Sequence, residues 1–336
     1  MLKLLNLLLI FTFVATAAEK EYLLGSGVQV GSLPLYVGGY FSTDYQYNTD
    51  DSKNQFRVDD IAFLAYGSYE KFSYLAEIEY KDYYTYVWDS NDSDSILNDH
   101  LHIERLYFDY MLNETATLRV GKFNSPIGYW NLTPINVLRD TSSNPMLNYI
   151  LYPKFTTGLN ITASFFNSSE YKVDCIIQNN KEIDGNYNNI NIDEHYALGM
   201  TLYKEDISFK ANIGYFHAIA SDYKENRDLY YYLFSSAYED DKYKFMAEVG
   251  QQYSSNKTTL EYIGYIQVLY KITSQHMPVM RVESYKSNLE NLKEKDSSLI
   301  LGYTYRPVFP VAIKGEYQFH TLSKYDKVYI SFSVLF

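Results

Sequence analysis

The feature that most constrains the fold is an alternation of apolar and polar residues with a period of two. Near the end of the sequence Val328, Ile330 and Phe332 are apolar, whereas the residues between them are tyrosine and serine. A period of two is that of a β-strand with two unlike faces. The same pattern recurs in 72–81, 171–178, 207–215 and 311–319. The sequence therefore predicts many two-faced strands.

Alternation of this kind fits two all-β architectures. In a soluble sandwich one face packs on a second sheet, whereas in a membrane barrel the apolar face meets lipid and the polar face meets a wet lumen. The chain has 38 tyrosines and 19 phenylalanines, and aromatic rings suit the two membrane interfaces. Its single cysteine, Cys175, excludes an internal disulfide.

The connections between the candidate strands favour a barrel. Tight turns are predicted at every second connection, and the connections between them are mostly longer and rich in Asn, Asp and Ser. Short turns at one rim and long loops at the other are typical of outer-membrane barrels. We therefore expect a transmembrane antiparallel β-barrel of about 16 strands whose first strand pairs with its last. The strands are predicted near 33–47, 54–69, 72–83, 100–111, 116–123, 155–166, 171–179, 194–203, 207–217, 228–238, 243–253, 259–270, 276–286, 297–306, 311–320 and 326–336.

The beginning of the chain indicates export. Lys3 precedes a short apolar run, and residues 15–18 are small enough for a cleavage site. The run is shorter than the roughly 20 residues that a spanning helix needs. We therefore predict a signal peptide at 1–18, a short periplasmic lead at 19–32 and the barrel at 33–336.

These features together resemble a known family. The signal peptide, the sixteen segments, the terminal Phe336 and the stretch IERLYFDYMLNETATLRVGKFNSPIGYWN (103–131) are similar to Gram-negative outer-membrane porins, in particular the phosphate- and polyphosphate-selective O/P porins. The resemblance implies a location in the outer membrane, among lipid and lipopolysaccharide. It implies that Phe336 is a signal for the barrel-assembly machinery, and it allows a homotrimer.

The longest connection, residues 124–154, is the predicted functional loop. Loops of this length without secondary structure are uncommon unless they are functional or disordered. In porins the corresponding loop folds inward and narrows the lumen, so we expect Arg139 and Asp140 to lie at a constriction. The alternative is an ordinary surface loop.

Charges of both signs fall on the inward parity of the strands. They nearly cancel, so the sequence lacks the ladder of cations expected of a phosphate-selective pore. These charges have two interpretations. They form opposed rows that impose an electric field across the lumen, or they are solvated ion pairs on the wall. With Arg139 and Asp140, the predicted pore-lining residues are Glu77, Glu79, Arg105, Arg119, Arg281 and Glu283.

A passive channel is the function that these observations favour. We expect diffusion of small hydrophilic solutes and ions with weak selectivity, and the alternative is a non-conducting adhesin or structural barrel. No Ser, His and acid set suggests an enzyme. The histidines lack metal-ligand spacing, and no basic patch suits nucleic acid. No cofactor is expected.

The acidic stretch at residues 89–94 leaves three possibilities open. Its carboxylates suit a cation, although the glycine and closing glutamate of an EF-hand loop are missing. Residues 89–93, Asp-Ser-Asn-Asp-Ser, resemble the extended acidic acceptor of bacterial N-glycosylation. A solvated acidic loop is the third interpretation.

Overall fold

The computed structural model describes residues 23–336 except 167–168, 186–189, 220–226, 255–256 and 290–291. Sixteen long strands of one antiparallel sheet form the barrel. They are β1 Tyr36–Asn48, β2 Asn54–Tyr69, β3 Phe72–Trp88, β4 Leu101–Asn113, β5 Ala116–Asn124, β6 Phe155–Phe166, β7 Glu170–Asn179, β8 Ile192–Lys204, β9 Ile207–Ala218, β10 Arg227–Glu239, β11 Tyr243–Ser254, β12 Lys257–Tyr270, β13 His276–Leu289, β14 Leu292–Tyr305, β15 Val311–His320 and β16 Lys327–Leu335.

The barrel closes as predicted. Each strand pairs with the next along the chain, and β16 pairs with β1 from Lys327 opposite Asn48 to Leu335 opposite Tyr40. The backbone of Phe336 continues this ladder, because its N–H donates to the carbonyl of Gly39 at 2.8 Å. The antiparallel barrel of sixteen strands predicted from the alternation is therefore confirmed. Among the described residues, each of the sixteen strands has a partner strand on both sides, which is what hydrocarbon requires.

The two faces of the strands differ as the alternation predicts. On β16, Ile330 and Phe332 point outward and are 46% and 39% exposed, whereas Ser331 points inward and is 2% exposed. Aromatic rings pack against one another near both rims, as in the pair Tyr196 and Tyr215 at the long-loop rim and the pair Tyr243 and Tyr270 at the short-turn rim. Such belts suit the two interfaces of a membrane.

Short elements complete the described part of the chain. Ser93–Leu97 pairs with the C-terminal end of β3, and Val28–Gln29 pairs with the N-terminal end of β1. Three short helical segments lie in the loop after β5, and one precedes β16: Trp130–Leu132, Asn136–Leu138, Leu147–Ile150 and Ser323–Tyr325. Among the described helices, none has the length and apolar character needed to cross a membrane. The predicted signal peptide, 1–18, lies outside the described residues.

Irregular pairings change which side chains point inward. The register shifts between Val58 and Asp60 in β2, and again where β3 pairs with β4 near Glu77. Bulges insert a residue and break the alternation locally. As a result Asp59 and Asp60 are both buried, as is Glu104.

Candidate solute pathway

The loop between β5 and β6, residues 125–154, lies inside the barrel against one side of the wall. Its first contacts are with β9 and β11. Lys210 donates to the carbonyl of Gly128 at 3.2 Å, and the backbone N–H of Gly128 donates to Asn212 at 3.1 Å. The carboxylate of Glu248 accepts from the backbone N–H of Tyr129. Buried side chains of the wall thus satisfy backbone groups of the loop.

Further along the loop, cations of β15 and of the turn before it hold backbone carbonyls. Lys314 is 1% exposed and donates to both the carbonyl and the side-chain oxygen of Asn136. Arg306 donates to the carbonyls of Val137 and Arg139. These contacts fix the segment that carries Arg139 and Asp140.

The segment around residue 141 is held by charged side chains of β13 and β15. Arg281, 1% exposed, donates to Thr141 at 2.6 Å and to Ser143, and it pairs with Glu283 at 2.6 Å. Glu316 accepts from Ser143 Oγ at 2.5 Å. We call the wall formed by β8–β15 the loop-covered half.

Apolar packing also contributes to holding the loop. Ile127, Leu147 and Leu151 are at most 1% exposed and pack against inward-facing apolar residues of the loop-covered half. Burial of such side chains contributes about 1.5–3 kcal/mol each. The wall residues of this apolar cluster include Ile192, Phe216, Leu229, Leu233, Leu260 and Ile263.

The wall formed by β1–β4, which we call the self-paired half, satisfies its charges differently. Arg57 binds Asp44 and Asp82, each at 2.7 Å. Lys81 binds Asp59 at 2.8 Å and Asp60 at 2.5 Å. Acids and bases of neighbouring strands therefore neutralise one another. The loop contacts this half mainly through apolar packing, of Ile135 and Val137 on Tyr40, Ala62 and Leu64.

Between the two halves lies a cavity of about 470 Å³ that extends towards the long-loop rim. It is bordered by loop residues 139–149 on one side and by both halves of the wall on the other. Its ionisable lining includes five bases and four carboxylates: Arg57, Lys81, Arg139, Arg281 and Lys327, and Asp59, Asp82, Glu283 and Asp296.

Two of these bases lack a carboxylate partner. Arg139 donates to the carbonyls of Thr133 and Pro134 only, and Lys327 has no hydrogen bond or ion pair within the part of the chain that the structure describes. By contrast, Glu283 pairs with Arg281 and Asp296 with His320 at 2.6 Å. Five bases thus face four carboxylates at the cavity surface, but Arg57 and Lys81 also bind Asp44 and Asp60, so the charges around the cavity nearly cancel.

The eight predicted pore-lining residues separate into three groups. Arg139, Arg281 and Glu283 border the cavity, and Asp140 lies beside it, bound to Lys244 at 3.0 Å and to Gln267. The other four do not border this cavity. They are Glu77, Glu79, Arg105 and Arg119. Glu77 pairs with Arg105, Glu79 accepts a hydrogen bond from Tyr40 at 2.7 Å, and Arg119 pairs with Asp109 at 2.7 Å.

Burial and position along the barrel explain why these four residues do not border the cavity. Glu77 and Glu79 are at most 2% exposed, and their carboxylates bind Arg105 and Tyr40 within the self-paired half. The pair of Arg119 and Asp109 lies nearer the short turns, where Asp109 borders a second cavity together with Gln29 of the N-terminal lead. Charges that share one face in the sequence are thus spread along the length of the barrel.

Sequence reasoning also missed several buried charges near the ends of β5 and β6. Lys154 approaches Glu104 at 3.6 Å, and Lys122 approaches Glu182 at 3.4 Å. Lys122 falls on the outward parity of its strand, yet it is 0% exposed. Residues 182–184 of the next long loop cover it, since it also donates to the carbonyl of Asp184. No periodicity within a strand could reveal a loop contact of this kind.

Burial has shifted the ionisation of groups in the loops. It lowers the pKa of Lys154, partly offset by the carboxylate of Glu104, and it lowers the pKa of Arg306. It raises the pKa of Tyr129 to about 12. All three shifts have the sign expected when water is excluded from these groups.

Comparison with known proteins shows the fold. OmpT of Vibrio cholerae matches with a TM-score of 0.60 and 10% identity, over 91% of this chain and 99% of that one. The anion-selective porin of Comamonas acidovorans matches with a TM-score of 0.60 and 9% identity, over 90% of this chain and 99% of that one. OmpF of Salmonella typhi, in complex with daunomycin, matches with a TM-score of 0.57 and 12% identity, over 90% of this chain and 97% of that one. This chain has the barrel fold of outer-membrane porins.

Sequence comparison adds no closer assignment. No protein-family model matches the chain, and no curated protein matches it either. The predicted resemblance to the O/P porins therefore stays a prediction.

Proposed function

We propose that the protein is a channel of the outer membrane through which small hydrophilic solutes and ions diffuse passively, with weak selectivity. The observation that carries the proposal is the charged cavity of about 470 Å³ beside the inward loop. A wet, polar passage suits hydrated solutes, and charged side chains along it set ion preference. Passive diffusion requires no catalytic group and no cofactor.

The location follows from the barrel itself. A closed antiparallel barrel with an apolar outer surface satisfies every strand within the hydrocarbon layer, and the chain lies in the outer membrane. The remaining assignments are proposals: export by the signal peptide at 1–18, the lead at 19–32 on the periplasmic side, assembly through Phe336 by the barrel-assembly machinery, contact with lipopolysaccharide, and a homotrimer.

Weak selectivity is proposed because most charges at the cavity are paired. A solute meets Arg281 together with Glu283, and Lys81 together with Asp59. Such pairs give little net field along the pore, and salt screens what remains beyond about 8 Å. Arg139 and Lys327 lack a carboxylate partner, but Arg57 and Lys81 each bind two carboxylates, so the charges nearly cancel.

The apolar cluster under the loop favours a second candidate. Because Ile127, Leu147 and Leu151 pack on the wall, part of the lumen is filled. In a non-conducting adhesin or structural barrel, more of the lumen would be filled, and no other difference would be needed.

Planar-bilayer recording separates the two candidates. The purified full chain should give discrete conductance steps and a small reversal potential across a salt gradient. A variant in which residues 137–145 are replaced by a short Gly-Ser linker should conduct more, whereas a control that shortens the exposed tip at 90–92 should not. A correctly inserted barrel that gives no steps would refute the channel, and equal conductance of all three would show that the loop does not limit flow.

A further inference from the structure

We propose that Asn91 is an attachment site for an N-linked oligosaccharide. Asn91 is followed by Asp92 and Ser93, the Asn-x-Ser pattern of an acceptor. Asp89 stands two positions before it, which completes the extended acidic acceptor of bacterial transferases. The glycan donor would be an oligosaccharide linked to a lipid diphosphate.

Other Asn-x-Ser/Thr patterns in the chain provide an internal comparison. None of them has Asp or Glu two positions before the asparagine, where Met, Tyr, Gly, Phe or Ser stands instead. Asn91 is therefore the one position in the sequence that meets the extended pattern. The other asparagines are Asn113, Asn131, Asn160, Asn167 and Asn256, of which the last two lie outside the described residues.

Accessibility distinguishes Asn91 from the buried candidates. Asn131 is 2% exposed, and its amide donates to the carbonyls of Ser125 and Lys154, each at 2.8 Å. Asn160 is 5% exposed and donates to Thr162. Asn91 is exposed, and its carboxamide makes no hydrogen bond among the described residues.

The local fold presents Asn91 at the tip of a hairpin. The end of β3 pairs with Ser93–Leu97, from Trp88 opposite Ser93 to Tyr84 opposite Leu97. A transferase that acts on folded protein needs an exposed acceptor segment. This hairpin presents one at the long-loop rim, in a turn that the N–H of Asp89 closes by donating to the carbonyl of Asp92 at 3.0 Å.

Asp89 is already oriented towards the acceptor. Its Oδ1 accepts from the backbone N–H groups of Asn91 at 2.6 Å and Asp92 at 2.9 Å. The other carboxylate oxygen of Asp89 accepts no hydrogen bond among the described residues, so it can bind a basic group of the transferase. An asparagine at 89 would keep both backbone contacts and lose only the charge.

The reaction forms one bond and breaks one. The Nδ2 atom of Asn91 attacks C1 of the first sugar, and a C–N bond forms. The bond from C1 to the phosphate oxygen breaks, the lipid diphosphate leaves with the electron pair, and the Nδ2 atom gives one proton to a base of the transferase. No oxidant or reductant is needed.

The test requires the full chain in a Gram-negative host, with and without a bacterial oligosaccharyltransferase of the acidic-acceptor class and its lipid-linked oligosaccharide. Trypsin should release Asn91 in the peptide 82–105, Asn113 in 106–119 and Asn131 in 123–139. Mass spectrometry should find the glycan on 82–105 alone, and only when the transferase is present.

Three variants sharpen the result. Asn91→Gln should abolish the modification, Asp89→Asn should reduce it at least tenfold although the turn is retained, and Asn113→Gln should leave it unchanged. A synthetic acceptor peptide with an acid two positions before Asn verifies that the transferase is active.

The proposal rests on export to the cell envelope, which membrane fractionation tests separately. Unmodified Asn91 in outer-membrane barrels, while the synthetic peptide is glycosylated, would overturn the site and leave the channel proposal intact. Equal modification of Asp89→Asn would refute the role given to the acidic side chain.

Discussion

The two halves of the inner wall carry similar charged residues but pair them differently. In the loop-covered half, Lys210, Glu248 and Lys314 bind backbone groups of residues 125–154. In the self-paired half, Arg57 and Lys81 bind carboxylates of neighbouring strands. A cation that binds backbone carbonyls fixes a loop, whereas a cation that binds carboxylates on its own wall does not. The polar anchors of the loop therefore lie mainly on one half, and the cavity of about 470 Å³ lies between the two.

Removing an anchor from the loop-covered half should have the largest effect. Arg281→Ala would take away a 1% exposed guanidinium and leave Glu283 without its partner. Breaking a buried pair in this way costs about 3–5 kcal/mol. We expect the free energy of unfolding, measured by urea titration in lipid vesicles, to fall by about that amount, and single-channel conductance to rise and fluctuate.

Arg119→Ala is the matched control for this anchor. The side chain of Arg119 is 32% exposed, and its carboxylate partner is Asp109 on the preceding strand, β4. We expect a loss of at most about 1 kcal/mol, typical of exposed pairs, and a steady conductance. If Arg119→Ala loosened the channel as much as Arg281→Ala, the contrast between the halves would be wrong.

In the self-paired half, Arg57→Gln should alter ion preference more than the position of the loop. Asp44, 2% exposed, would lose a charged donor, which costs about 1–3 kcal/mol. One unit of positive charge would also leave the cavity. A charge at about 4 Å in water contributes about 1 kcal/mol, so the cation-to-anion permeability ratio should rise up to about fivefold, as measured by reversal potential. If this ratio did not change, the ions would have to pass through another part of the barrel.

The alternation of residues was sufficient to predict the strands, the turns and the closure, because a lipid-facing strand must repeat every two residues. The sequence interpretation failed where geometry departs from that repeat. The bulge near Val58 turns both Asp59 and Asp60 inward, and no pattern of single residues shows where a bulge will occur. The alternation also cannot tell which inward charge faces water. Glu79 and Lys81 share a parity, but only Lys81 borders the cavity.

The apolar cluster under the loop could have been noticed in the sequence. Leu229, Tyr231 and Leu233 are apolar on the inward parity of β10, where a wholly wet lumen would need polar residues. Their partners in the loop, Leu147 and Leu151, lie about 80 residues earlier in the chain. Periodicity describes one strand at a time, so it indicates that something covers these residues without showing which segment does so.

Lys327→Gln tests whether an unpaired charge at the cavity acts on ions alone. Lys327 borders the cavity and has no ion pair within the described residues. Its loss should shift reversal potential towards cations, as Arg57→Gln does, while the free energy of unfolding stays within about 0.5 kcal/mol. A large loss of stability would mean that Lys327 has a structural partner, and the distinction between paired and unpaired cations would fail.

The smallest effect is expected from Glu79→Gln. The sequence alone predicts that this residue lines the pore, so removal of its charge should favour anions. In the structure it is 2% exposed, accepts from Tyr40 at 2.7 Å and approaches Glu104 within the self-paired half. A glutamine retains an oxygen for Tyr40 and gains an amide that can donate to Glu104, so its contacts are conserved. We therefore expect reversal potential to be unchanged and the free energy of unfolding to change by no more than about 1 kcal/mol. A clear shift towards anions would show that Glu79 faces the solute path, and the self-paired half would then be part of the constriction.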